Sequence, residues 1–157
     1  MDAVIQCFKD DFERFWGLME KQIDICPDEI WSKKAGGWIF WQQILHSIGC
    51  VELFVLPEGE SSSLPFSREE VLLIKEPGQA VSKVEMLELA GRMKALADSY
   101  IASTTAQTLT SPEAGISKRM GRELTRQYAI IALIRHCCYH LGCCDATLRE
   151  HGIQGVY

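Results

Sequence analysis

Between Trp38 and Val55 the chain carries one charged side chain, Glu52. A helix advances about 100° per residue, so the apolar side chains of this segment cover most of its circumference. A helix that is apolar nearly all round has to be covered on every side, and it belongs in the centre of a bundle. Gly36-Gly37 precede the segment and Pro57 stops it. His46 stands midway along it, and a buried imidazole has a donor and an acceptor to satisfy.

The rest of the chain offers the helices that such a centre needs. From Ala3 to Ile25, apolar residues recur at Ile5, Phe8, Phe12, Phe15, Trp16, Met19 and Ile23, the spacing of one helical face. Pro27 ends that helix, since the residue before a proline avoids the helical region. Ser82-Lys83-Val84-Glu85 reads as a capping box opening a third long helix, with the stripe Met86, Leu89, Ala90, Met93, Leu96, Ala97, Tyr100 and Ile101. A fourth runs from about Arg122 to Glu150, with Gly152 as its stop signal and Gly155 beyond.

Two long connections separate these helices. Residues 57–82 hold Gly59, Ser61-Ser62-Ser63, Pro65, Pro77 and Gly78, all loop signals. A second capping box, Ser67-Arg68-Glu69-Glu70, predicts a short helix through Val71-Leu72-Leu73-Ile74. Residues 103–121 are rich in Ser and Thr and read as loop, while Trp31 and Trp38 are placed to pin the Gly36-Gly37 turn. No strand alternation of useful length is present. The predicted architecture is all-α: a four-helix bundle with long crossover connections, one domain over residues 1–157.

Composition narrows the function. With 16 Lys and Arg against 21 Asp and Glu the net charge is −5, which gives no electrostatic footprint for a phosphate backbone, so no nucleic-acid partner is expected. Acidic residues interrupt the N-terminal stretch where a signal peptide needs an apolar run, and nothing approaches a membrane span. Seven cysteines, an odd number with two adjacent pairs (Cys137-Cys138 and Cys143-Cys144), do not make a disulfide framework. These features predict a cytoplasmic protein with reduced thiols.

His136 and His140 lie four residues apart on the fourth helix, which puts both rings on one face. If His46 comes opposite them, three imidazoles occupy three positions of a metal ion and leave at least one open, the mark of a catalytic rather than a structural site. The competing reading is three core histidines with satisfied hydrogen bonds. Cys137 follows His136 where a zincin motif needs Glu, which disfavours a metalloprotease. His151, past the helix end, reads as a C-terminal cation favoured by the helix dipole.

The segment His136-Cys137-Cys138-Tyr139-His140-Leu141-Gly142, continuing through Thr147-Leu148-Arg149-Glu150-His151-Gly152, resembles the closing helix of the DinB/YfiT-like family, and Trp41-Gln42-Gln43-Ile44-Leu45-His46 resembles the segment that carries that family's third ligand. The resemblance covers nearly the whole chain. It implies a four-helix bundle with long crossovers, often a homodimer, and a nickel-, zinc- or iron-type ion held by His46, His136 and His140. Some members transfer low-molecular-weight thiols or act as thiol-dependent isomerases, and others are regarded as hydrolases. The family often has Gln after H-x-x-x-H-L-G. Here Cys143 stands there, so the triad is intact while a substrate role for that Gln has no counterpart.

With His136 as zero, His140 falls at about +40° and Cys143 at about −20° on the helix circumference. On the second helix Gln42 and Cys50 flank His46 by one turn on either side. Gln42, Cys50 and Cys143 are therefore candidates for the lining of the same pocket, against the plainer reading that the two cysteines are small core residues. A bound ion would acidify a water, as a hydrolase needs, or a thiol that ligates it directly, as a thiol S-transferase needs. No carboxylate falls on the ligand face to serve as a base, which favours the thiol, with a small-molecule thiol or electrophile as substrate. No catalytic residue beyond the ligands stands out. The alternatives are a metal-binding or dimerisation bundle without catalysis and a plain helical scaffold.

Overall fold

The computed structural model describes residues 2–35 and 37–157. Helix α1 (Ala3–Ile25) begins at Asp2, whose carboxylate accepts the Val4 N–H at 2.9 Å. It buries Ile5, Phe12, Trp16, Met19 and Ile23, while Phe8 and Phe15 pack at the core's edge. After Pro27 the chain makes a short α2 (Asp28–Trp31), then strand β1 (Lys34–Ala35), paired antiparallel with β2 (Trp38–Ile39). This hairpin corrects the sequence reading in two ways. Trp38 and Ile39 are extended, and α3 starts at Phe40, whose N–H closes onto the Lys33 carbonyl at 2.9 Å. Trp31 packs on Phe40 just beyond the hairpin, with centroids 5.9 Å apart, and its indole N–H also reaches the approach to the third long helix, donating to the Val81 carbonyl at 2.6 Å. Gly36, half of the predicted turn, lies outside the described residues.

Helix α3 (Phe40–Val55) is buried at every position except His46 and Leu53, which are half-buried. Its apolar circumference thus has the consequence predicted for it. Fully burying a side chain such as Phe40 or Ile44 stabilises the fold by roughly 1.5–3 kcal/mol. The Ser67 capping box forms, but α4 spans only Arg68–Val71 and does not continue through Ile74 as the sequence suggested. Leu73 turns left-handed (φ 59°), and the Ile74 and Leu73 N–H groups return to the carbonyls of Glu69 and Glu70 at 2.9 and 3.4 Å. That pair of bonds is a Schellman stop, which ends a helix by a left-handed residue.

The capping box of Ser82 and Glu85 opens α5 (Lys83–Ala102) as predicted. Residues 103–121, read as loop, contain α6 (Ala106–Leu109) and α7 (Ala114–Met120). Helix α8 (Arg126–Glu150) starts later than Arg122, because residues 122–125 are held back by other bonds. The Leu124 carbonyl accepts the Glu113 N–H at 2.8 Å, the Ser111 carbonyl accepts the Arg126 N–H at 3.1 Å, and Thr125 caps the helix through Tyr128.

The four long helices α1, α3, α5 and α8 form the bundle. Helix α3 packs against α8 and α5, α1 packs against the same two, and α1 and α3 touch only lightly across the diagonal. A central α3 beside α8 brings His46 opposite His136 and His140. The chain's last residues are tied back to α8. Buried Asp145 accepts the Val156 N–H at 2.6 Å and the Arg149 guanidinium at 2.7 Å, and Tyr157 stacks on Phe15 with centroids 6.2 Å apart. A Cβ at Gly155 would run into that carboxylate, so close approach, rather than a stop signal, accounts for the glycine. Among the described residues no helix is long and apolar enough to cross a membrane.

Candidate metal centre

His46 is oriented from behind. Its Nδ1 lies 2.7 Å from the Val71 carbonyl oxygen. A carbonyl can only accept, so Nδ1 carries the proton and Nε2 carries a lone pair. That lone pair faces across the helix interface, where His136 Nε2 lies 3.0 Å away. The three imidazoles form a tight triangle, with centroids 4.8 Å apart for His46 and His136, 4.4 Å for His46 and His140, and 4.6 Å for His136 and His140. Phe54 packs edge-on against His136 at 5.6 Å.

Burial pushes all three imidazoles below their ordinary range. His46 is lowered by desolvation, partly offset by the Val71 bond. His136 is lowered to about 4 by burial and by His46, and His140 to about 3 by burial and by its two neighbours. At neutral pH all three are uncharged, the state a metal ligand requires. Yet Nδ1 of His136 and Nδ1 of His140 are buried with no hydrogen-bond partner among the described residues. Unsatisfied buried nitrogens cost roughly 1–3 kcal/mol each, so a cluster of three imidazoles without further partners is an expensive way to fill a core.

The donor set fits a metal ion. The ligand atoms of His46, Cys50 and His136 all lie within 4.8 Å of one another, and this group could hold one. Two nitrogens on a tetrahedral zinc-type ion sit roughly 3.3 Å apart, close to the spacing of the two Nε2 atoms. Cys50 and His140 are the two candidates for a third ligand. Cys50 Sγ lies 3.7 Å from His46 Nδ1, the nitrogen already committed to Val71, whereas His140 presents its ring to both other imidazoles. Burial pushes the Cys50 thiol up to about 12, so without an ion it stays protonated.

The remaining residues singled out from the sequence divide. Cys50 lines a cavity of about 340 Å³ between α3, the 57–72 connection and α7, together with Val71, Leu53, Leu64, Phe66 and Arg119. The imidazoles do not line it; Cys50 and Val71 form the wall it shares with the centre. Gln42 is fully buried, and its amide faces the 70–75 turn, donating to the carbonyls of Glu70 and Lys75 at 3.1 and 2.7 Å. Cys143 is half-buried and stands outside the His46–Cys50–His136 group, while Cys137 and Cys144 are core residues. Glu52 also lines that cavity; it is buried, and its Oε1 accepts the Ser63 N–H and hydroxyl at 2.9 and 2.8 Å. His151 donates from Nδ1 to the Thr147 carbonyl at 2.9 Å and closes the end of α8. Sequence reasoning missed Val71, because a backbone carbonyl leaves no trace in residue identity.

No protein-family model matches the chain, and no curated protein matches it. Among solved structures it is similar to the crystal structure of a DinB-like protein from Bacillus cereus, with 18% identity over 96% of this chain and 95% of that one and a TM-score of 0.69. At that identity the likeness speaks for the fold, which agrees with the order of helices and crossovers described above. The chain thus has an all-α, DinB-like fold, with a His46–Cys50–His136 group that could hold a metal ion where its central and closing helices meet.

Proposed function

We propose that the protein is a metal-dependent enzyme that activates a small-molecule thiol at a centre formed by His46, His136 and His140. The observation that carries this reading is the triangle of neutral imidazoles, two of them with an unpartnered buried nitrogen. A divalent ion of the nickel, zinc or iron type supplies Lewis acidity there, which lowers the pKa of a thiol or water that joins it.

The chain's own residues favour the thiol over water. The metal-capable group contains no carboxylate, and Oε1 of Glu52, on the wall of the neighbouring cavity, is held by Ser63, so no member of that group doubles as a base for water. A thiol ionises far more readily and needs no such base. His46 and His136 remain partly open to solvent, which leaves a path to the centre. The neighbouring cavity, walled mainly by apolar side chains, is the place for the body of an electrophilic partner. A homodimer is part of the proposal, as the family resemblance implies.

Metal analysis of protein purified without a histidine tag tests the centre. One equivalent of metal in the wild type, absent from a His136→Ala, His140→Ala double variant, supports it; no stoichiometric metal after reconstitution overturns it. Cobalt-substituted protein tests the chemistry. A new sulfur-to-metal absorption band on adding a cellular thiol, with thiol-dependent turnover of an electrophile, supports thiol activation, and the absence of both removes it.

A further inference from the structure

The turn behind His46 is held in an unfavourable shape by α3. Leu73 sits at φ 59°, where a glycine or asparagine is usual and a bulky side chain is uncommon. Strain of this kind persists only where the surroundings over-determine it. Here the surroundings are three successive positions on one face of α3. Gln42 donates both protons of its amide across the turn, to Glu70 and Lys75 on either side of Leu73. His46, one helical turn on, donates to Val71. Gly49, a further turn on, leaves room for Val71: a Cβ there would meet a Val71 methyl at 2.7 Å and a Leu64 methyl at 3.0 Å. Glycine is a poor residue for a helix interior, so this gap at position 49 needs a reason, and the close approach of Val71 provides one.

We propose that Gln42 and Gly49 are positioning residues for His46: they clamp the 70–75 turn so that the Val71 carbonyl holds the imidazole as its Nδ1–H tautomer with Nε2 turned to the cluster. The Glu70 carbonyl already accepts the Leu73 N–H at 3.4 Å and has a second lone pair to offer, and the last carbonyls of a helix have no partner within it. Gln42 takes Glu70 and the histidine takes Val71. Were the turn to relax, His46 could rotate or exchange tautomers, and Nε2 would no longer be presented to His136. That the clamp serves an ion rests on the metal-centre reading above, whereas its effect on the tautomer does not.

Nitrogen-15 spectroscopy of the metal-free protein separates the two. In the wild type, His46 is expected as a single Nδ1–H tautomer, with both Gln42 amide protons slow to exchange with solvent. An Nε2–H or averaged His46, or a freely exchanging Gln42 amide, overturns the proposal. In Gln42→Met, which keeps length and removes both donors, the His46 signals move toward a tautomer mixture, and Zn²⁺ affinity falls roughly 10–100-fold, as for other groups that orient a metal-bound histidine. Gly49→Ala improves the helix locally and displaces Val71, so a smaller shift in the same direction is expected with no loss of helical signal. A purely structural role would lower the melting temperature and leave the tautomer unchanged in both variants, and that result overturns the clamp. A tautomer shift in protein that never binds Zn²⁺ supports the clamp and removes the metal reading alone.

Discussion

Two groups of polar side chains lie within this bundle, and they are finished to different degrees. At one end, Arg126 spreads its guanidinium over Thr104 Oγ1 (2.8 Å), Glu113 Oε2 (3.2 Å), the Tyr100 carbonyl (2.8 Å) and Ser103 Oγ (2.6 Å), and lies 3.9 Å from the centre of the Tyr100 ring. The Tyr100 hydroxyl donates to the same Glu113 oxygen at 2.7 Å, and burial together with that bond pushes the phenol far up. At the histidine cluster, two ring nitrogens have no partner among the described residues. The first network closes on itself and ties the 103–125 connection to α5 and α8. The second is open among the described residues, the condition that the proposed metal ion would relieve.

Substitutions at the two sites should therefore have opposite signatures. The largest effect is expected from His46→Ala, which removes the best-oriented lone pair. Zn²⁺ affinity should fall at least about 100-fold, beyond the range for merely orienting groups. In the metal-free protein His140→Ala, which removes a ring with an unpartnered buried nitrogen, should melt no lower than the wild type. A competition titration and a thermal melt read the two halves. A clear drop in metal-free stability would mean that the cluster is structural after all.

Arg126→Ala is the mirror experiment. It leaves the Glu113 carboxylate with the Tyr100 hydroxyl but without its cation, and the loss of folding stability should be about 2–4 kcal/mol, since breaking a largely buried pair leaves its partner's charge unmatched. Urea unfolding measures it. Zn²⁺ affinity should stay as in the wild type, because the network and the cluster share no bond.

The same contrast explains what could be read from the sequence. The face of α1 and the apolar circumference of α3 are repeated signals, and each predicted a buried surface that the structure contains. The pairing of His136 with His140 is a local spacing, and α3's central place brings His46 to it. The parts that escaped depend on single long-range contacts. Helices α6 and α7 are four and seven residues long, lack a periodic stripe, and lie in a Ser- and Thr-rich stretch. Helix α7 is held by Arg119, which donates to the Leu53 and Leu56 carbonyls at the end of α3. Gln42 reads as a pocket residue from its helical position, and only the path of the 70–75 turn shows why its amide is used elsewhere.

Acid distinguishes the two sites without mutation. The three clustered histidines have folded-state pKa values below the usual 6.5, about 4 for His136 and about 3 for His140. Below pH 6.5 the unfolded chain therefore binds more protons than the folded one, and stability falls with pH between about 6.5 and the folded values. Above that window these three rings contribute no pH dependence. The metal-free wild type should lose melting temperature progressively from pH 6.5 to 4, and a His136→Ala, His140→Ala variant should lose less. Equal slopes in the two proteins would show that the rings are not held neutral by the core.

The smallest effect sharpens the other side of the contrast. In Glu113→Gln the side chain keeps an oxygen for the Tyr100 hydroxyl and for Arg126 but loses its charge. Arg126 retains three other acceptors, so the network should stand, weakened by about 1 kcal/mol, roughly the difference between a charge-assisted and a neutral hydrogen bond. Glu113 and Arg126 side chains are 24% and 18% exposed, so salt should screen the wild-type pair only weakly, and the variant's deficit should persist at high ionic strength. A deficit that vanishes in salt would place the interaction at the surface. A loss as large as that of Arg126→Ala would mean that the ion pair, and not the completeness of the hydrogen bonding, holds this end of the bundle together.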